Sequence, residues 1–130
     1  MKKHFATYDI ALKLKDKGFN EDCLGVYIDK ELTIGFPETT LNLITKYYDI
    51  LEKEEYLLAP LWQQAIDWFR KKHNLEVIPA NVKTLQAYHY YVYFNNQPIN
   101  IEWFKCMPTS AFDTYEEARQ KAIEHALTLI

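Results

Sequence analysis

The aromatic run at residues 87–94 constrains the fold of this chain more than any other feature of its sequence. Five of its eight residues are Tyr or Phe, and such residues favour β-strands over helices. Asn95, Asn96 and Pro98 then provide a turn signal, and a second strand-like segment follows at residues 99–104. We therefore predict a β-hairpin whose strands lie at 87–94 and 99–104.

The alternation of side chains along these two segments sets the register of the predicted hairpin. When Val92 lies opposite Ile101, every residue on that face is apolar, whereas a shift by one position would mix apolar and polar side chains. The predicted inner pairs are Phe94 with Ile99, Val92 with Ile101, and Tyr90 with Trp103. The predicted outer pairs are Tyr93 with Asn100, Tyr91 with Glu102, and His89 with Phe104.

Capping residues and apolar periodicity predict three helices, at residues 7–17, 60–73 and 115–129. Thr7 and Thr114 are the expected N-caps of the first and third helices, because a hydroxyl there accepts a backbone N–H. Gly18 is expected to end the first helix, and Pro60 to occupy the first position of the second. The side chains expected to face inward are Tyr8, Ala11, Leu12 and Leu14 in the first helix, Trp62, Ala65, Ile66 and Phe69 in the second, and Tyr115, Ala118, Ala122, Ala126 and Leu129, with Ile123, Leu127 and Ile130, in the third.

Shorter β-branched and apolar segments predict further strands. They are residues 24–28 and 32–34, as a hairpin around residues 29–31, and residues 75–78, ending at Pro79. Residues 37–58 fit two interpretations. Ile44, Tyr47 and Leu51 fall at helical spacing and favour a helix, while an irregular strand and turn is the alternative.

Together these elements predict an α+β fold, with one mainly antiparallel sheet from two hairpin-like regions and three or four packed helices. The 130 residues are enough for a self-sufficient core, and 48% hydrophobic with 25% charged residues is typical of a globular domain. The chain has 3 glycines and 5 prolines, and no cluster of them indicates a linker. We therefore expect a single domain over residues 1–130.

Charge and cysteine content narrow the class of protein. The formal net charge is −3, unlike the basic excess of proteins that bind a phosphate backbone. No segment approaches the roughly 18 apolar residues of a membrane span, and no apolar run of a signal peptide follows the basic N-terminus. Cys23 and Cys106 form no CxxC pair, which indicates two reduced thiols and a cytoplasmic protein.

The sequence shows no pattern of catalytic, cofactor-binding or metal-binding residues. The histidines are scattered over separate segments, whereas a zinc site needs closely spaced ligands. We interpret His73 as a cation at a helix end, His125 as a helix-surface residue, and Cys23 as a small packed residue. Neither cysteine lies in a nucleophile motif, and three glycines cannot form a phosphate-binding loop. These observations favour a protein without catalytic residues, cofactor or metal.

The outer face of the predicted hairpin is the candidate partner surface. Its members are His89, Tyr91, Tyr93 and Glu102. Exposed rings on a sheet suit a protein interface, because tyrosine is large, rigid and amphipathic. Two alternatives stay open: a helix covers this face and the tyrosines are packing residues, or single-stranded nucleic acid stacks on the rings. Nucleic acid is disfavoured because the predicted hairpin brings one basic residue, Lys105, which directly follows its second strand.

Three segments carry a resemblance to known proteins. They are residues 8–19 followed by Cys23, residues 59–70, and residues 115–118 with the apolar helix after them. They resemble a group of small proteins of unknown function from prophage-like and mobile regions of Bacteroides-type gut bacteria. That group has Thr-Tyr-Gln-Gln-Ala after Ala-Pro, whereas this chain has Leu61 and Trp62 before Gln-Gln-Ala, which keeps the aromatic residue and loses a potential cap. The resemblance implies a cytoplasmic protein of phage or mobile-element origin, and it implies no activity.

From these features we expect a non-catalytic interaction protein, an accessory of a phage or mobile element, that binds a protein partner or associates with itself. The alternative is a small enzyme or nucleotide-handling protein whose site is assembled from distant residues. A polar pocket with converging carboxylates would favour the enzyme, and a flat aromatic patch would favour the interaction protein.

Overall fold

The computed structural model describes residues 2–34, 56–82, 87–96 and 112–130. Its contacts group the chain into two compact units, residues 1–65 and 66–130. The described ranges contain three α-helices and two antiparallel sheets, so the predicted α+β class is confirmed. The expectation of a single sheet is wrong for these ranges, because their strands form one sheet of three strands and another of two. The single domain stays a prediction.

Helix α1, Tyr8–Asp16, begins and ends as the sequence predicts. Thr7 accepts the N–H of Ile10 at its N-terminus, at 3.4 Å. At the other end Gly18 adopts a φ of 95°, and the N–H groups of Gly18 and Phe19 bond back to Lys15 and Leu14. These two backbone bonds form a Schellman motif, which satisfies carbonyls that the helix end would leave open.

The buried face of α1 differs from the predicted one by a rotation of the helix. Ile10, Ala11 and Leu14 are buried, whereas Leu12 is 40% exposed. Residues two positions apart point to opposite sides of a helix, so burying Ile10 and Leu14 turns Leu12 outward. The expectation that Leu12 faces inward is therefore wrong.

The first sheet has the order β2-β1-β3, with strands β1 Gly25–Ile28, β2 Glu31–Ile34 and β3 Tyr56–Ala59, all antiparallel. The predicted hairpin of β1 and β2 is confirmed. Its two-residue turn has φ values of 49° at Asp29 and 65° at Lys30. Both are positive, as a type I′ turn requires. Tyr27, which lies on β1, donates a hydrogen bond from its hydroxyl to the Ala6 carbonyl at 2.7 Å.

Strand β3 occupies the end of the segment 37–58, after the residues that carry the helical spacing. Residues 56–58 are extended and pair with β1, because Leu57 and Ala59 alternate inward with a period of two. The favoured helix itself, including Ile44, Tyr47 and Leu51, lies outside the described residues.

Helix α2, Trp62–His73, starts two residues later than predicted. Pro60 lies between β3 and the helix, and its carbonyl accepts the N–H of Ala6 at 2.8 Å. The first helical hydrogen bond runs from the N–H of Ala65 to the carbonyl of Leu61. The four side chains of the predicted stripe are all buried: Trp62, Ala65, Ile66 and Phe69. The predicted stripe is confirmed. The prediction that Pro60 occupies the first helical position is wrong, because the helix begins at Trp62.

The second sheet pairs β4, Leu75–Val82, with β5, Ala87–Phe94, in an antiparallel register that sets Val77 opposite Val92. Strand β4 continues through Pro79, which lies opposite Tyr90, so our expectation that it stops there is wrong. In the described ranges β4 has one neighbour, and such a strand tolerates a proline where no ladder bond is needed. The predicted partner at 99–104, with its pairs to Ile101 and Trp103, lies outside the described residues.

Helix α3, Tyr115–Thr128, packs over both β4 and β5. Thr114 caps it by accepting the N–H of Glu117 at 3.2 Å, as predicted. The buried side chains are Ala118, Ala122, Ile123, Ala126 and Leu127. Tyr115 and Leu129 were expected inward but are 40% and 37% exposed, because they lie in the first turn and at the C-cap, where neighbours are fewer. Among the described helices, none is both long and apolar enough to cross a membrane.

Candidate functional site

Side chains of β5 divide into an inner and an outer set with a period of two. Tyr90 and Val92 are buried, while His89, Tyr91 and Tyr93 are half-buried on the opposite face. The prediction that Tyr90 and Val92 face the core is therefore confirmed, and its partners Ile101 and Trp103 lie outside the described residues.

The inner face of β5 is covered by α3 and the residues just before it. The Tyr90 ring lies edge-on to His125, with centroids 5.8 Å apart, and 6.0 Å from Phe112. Tyr88 meets Tyr115 edge-on at 6.3 Å, and its backbone bonds Phe112 in both directions. The small side chain of Ala122, buried in α3, lets this helix approach the sheet closely.

We call the opposite side of this sheet the outer face. It consists of His89, Tyr91 and Tyr93 on β5 and, directly opposite them, Ala80, Ile78 and Glu76 on β4. Ile78 is 38% exposed, an unusual value for a large apolar side chain in the middle of a strand. Three of the four predicted site residues thus lie on one face, while Glu102 lies outside the described residues.

One end of the outer face carries a hydrogen-bonded polar network around Glu76. The Glu76 carboxylate lies 3.3 Å from Arg70 Nε and accepts a hydrogen bond from Asn95 Nδ2 at 3.1 Å. Arg70 also lies 3.3 Å from the carboxylate of Asp67. Arg70 and Asn95 hold the Glu76 carboxylate on the strand position opposite Tyr93, and the Arg70 guanidinium balances its negative charge.

The members of this face on β4 were missed by the sequence reasoning. Leu75, Glu76 and Val77 already alternate apolar and polar, which is the signal of a half-buried strand. We took Pro79 as the end of that strand and paired residues 87–94 with residues 99–104 instead.

The thiol of Cys23 is buried and lies at the end of the loop before β1, so its interpretation as a packed residue is confirmed. It donates a hydrogen bond to the Glu21 carbonyl at 3.2 Å. Burial, together with the negative charges of Glu21 and Asp22, raises the pKa of the Cys23 thiol to about 12. Because the thiolate is the nucleophile, this side chain is inert at neutral pH.

We expect Cys23 to be unreactive in the native protein. In a Cys106→Ala variant, the reaction of Cys23 with DTNB at about pH 8 should be on the order of 10³ times slower than in guanidinium chloride, because the thiolate fraction falls with the raised pKa. Stopped-flow absorbance measures both rates. Equal rates in the native and denatured protein would contradict the burial of this thiol.

Two half-buried histidine rings pack against aromatic side chains. His73 contacts Trp68 edge-on at 4.7 Å, and His125 contacts Tyr90. Within the described residues, His73 Nε2 and His125 Nδ1 are buried without a hydrogen-bond partner. Burial lowers the pKa of both imidazoles. His73 lies in the last turn of α2, as predicted, but its lowered pKa disfavours the cation there. His125 is half-buried against Tyr90, so it lies only partly on the helix surface.

These histidines should make the protein less stable in mild acid. With a folded-state pKa below the unfolded one, each ring takes up its proton more readily in the unfolded chain, so the free energy of unfolding falls as the pH drops below about 6.5. We expect the His125→Gln variant to lose less stability than the wild type between about pH 7 and pH 5, by under about 1 kcal/mol because the group is partly exposed. Urea unfolding at each pH measures this, and His4→Gln, at an exposed position, is the control. A steeper loss in His125→Gln than in the wild type would contradict it.

Among the described residues, no group of three or more His, Cys, Asp or Glu side chains is placed to hold a metal ion. No protein-family model, no curated protein and no solved structure matches this chain.

Proposed function

We propose that this protein is a non-catalytic interaction protein whose outer face binds a protein partner or a second copy of the chain. The observation that carries the proposal is the placement of His89, Tyr91 and Tyr93, each half-buried, on one side of β5 beside the exposed Ile78 of β4. A contiguous patch of aromatic and apolar side chains on a sheet is typical of a surface that another molecule covers.

The chemistry of this face suits protein recognition. Tyrosine combines a large apolar ring with a hydroxyl, and it loses little conformational entropy when a partner orders it. Ile78, opposite Tyr91, adds apolar area at the centre of the face. The Glu76 network beside Tyr93 would then belong to the polar rim that surrounds the apolar part of an interface.

The cellular setting forms part of the same proposal. The resemblance of residues 8–19, 59–70 and 115–118 to proteins of prophage-like regions is the ground for proposing a phage or mobile-element accessory. The free thiol of Cys23 is compatible with the reducing cytoplasm that we propose as its location.

A double substitution on the outer face tests the proposal. We expect Tyr91→Thr with Tyr93→Thr to weaken self-association or partner binding at least tenfold, while the free energy of unfolding changes by less than about 1 kcal/mol, because threonine keeps the strand preference and removes the rings. Sedimentation velocity over a concentration series measures self-association, and urea unfolding measures stability. Partner binding is measured by the amount of each protein retained from the host extract on wild-type and variant protein at equal loading.

The matched control is Tyr56→Thr, which removes a tyrosine that is 40% exposed on β3. This control should associate like the wild type. If the double variant also associates like the wild type, the outer face is not the binding surface. If the double variant instead loses several kcal/mol in the free energy of unfolding and associates like the wild type, Tyr91 and Tyr93 are packing residues.

A further inference from the structure

We draw no further inference here: the strongest candidate, the half-exposed apolar side of the first sheet around Ile28, Leu58 and Tyr56, carries nothing because the described residues do not show what covers it.

Discussion

Replacing Phe69 with alanine should destabilise the protein by about 3–5 kcal/mol, a large part of the roughly 5–15 kcal/mol that holds a domain of this size folded. Phe69 is fully buried in α2, and its ring meets Trp68 edge-on with centroids 5.2 Å apart. Truncation removes this aromatic contact and leaves a cavity that the surrounding side chains fill only in part. Urea unfolding followed by circular dichroism measures the loss.

Two further variants keep this prediction testable even if Phe69→Ala does not fold. Phe69→Leu leaves a smaller cavity and should cost about 1 kcal/mol or more. Lys71→Ala changes an exposed position of the same helix and should stay within about 0.5 kcal/mol of the wild type. Equal stabilities of Phe69→Leu and Lys71→Ala would show that Phe69 is not a core residue.

Replacing Ala122 with leucine should cost about 1–3 kcal/mol by overpacking. Ala122 is fully buried on the face of α3 that packs over β4 and β5. Leucine has nearly the same helix propensity as alanine. The loss in the free energy of unfolding therefore measures how little space lies between the helix and the sheet, and not a change in helix stability. Thermal and urea unfolding measure it.

The control for this substitution lies one residue away. Lys121→Leu adds the same side chain at an exposed position, where it removes the 2.9 Å ion pair with Glu124, and should change stability by less than about 0.5–1 kcal/mol. If Ala122→Leu is no more destabilising than Lys121→Leu, the helix does not lie close to the sheet.

Half of the candidate site could be predicted from sequence because side-chain alternation is a property of any single strand. Successive residues of β5 point to opposite faces whichever strand pairs with it, so Tyr90 and Val92 separate from His89, Tyr91 and Tyr93 without knowledge of the partner. The other half is the three residues on β4, and it depends on which strand lies beside β5: Glu76, Ile78 and Ala80. Segments on both sides of β5 in the chain are candidates to pair with it, and the turn signal after β5 favoured residues 99–104, so the alternation in β4 was not used.

The sequence by itself determined the elements whose causes are local. Thr7 with Gly18 delimits α1, Thr114 starts α3, and the short spacing between β1 and β2 makes a hairpin, because caps and turns are set by neighbouring residues. Tertiary structure alone decided the division of the strands into two sheets, the outward turn of Leu12 and the packing of the His125 ring against Tyr90. These outcomes depend on contacts between distant segments, and there the free energy of burying a side chain outweighs its local preference.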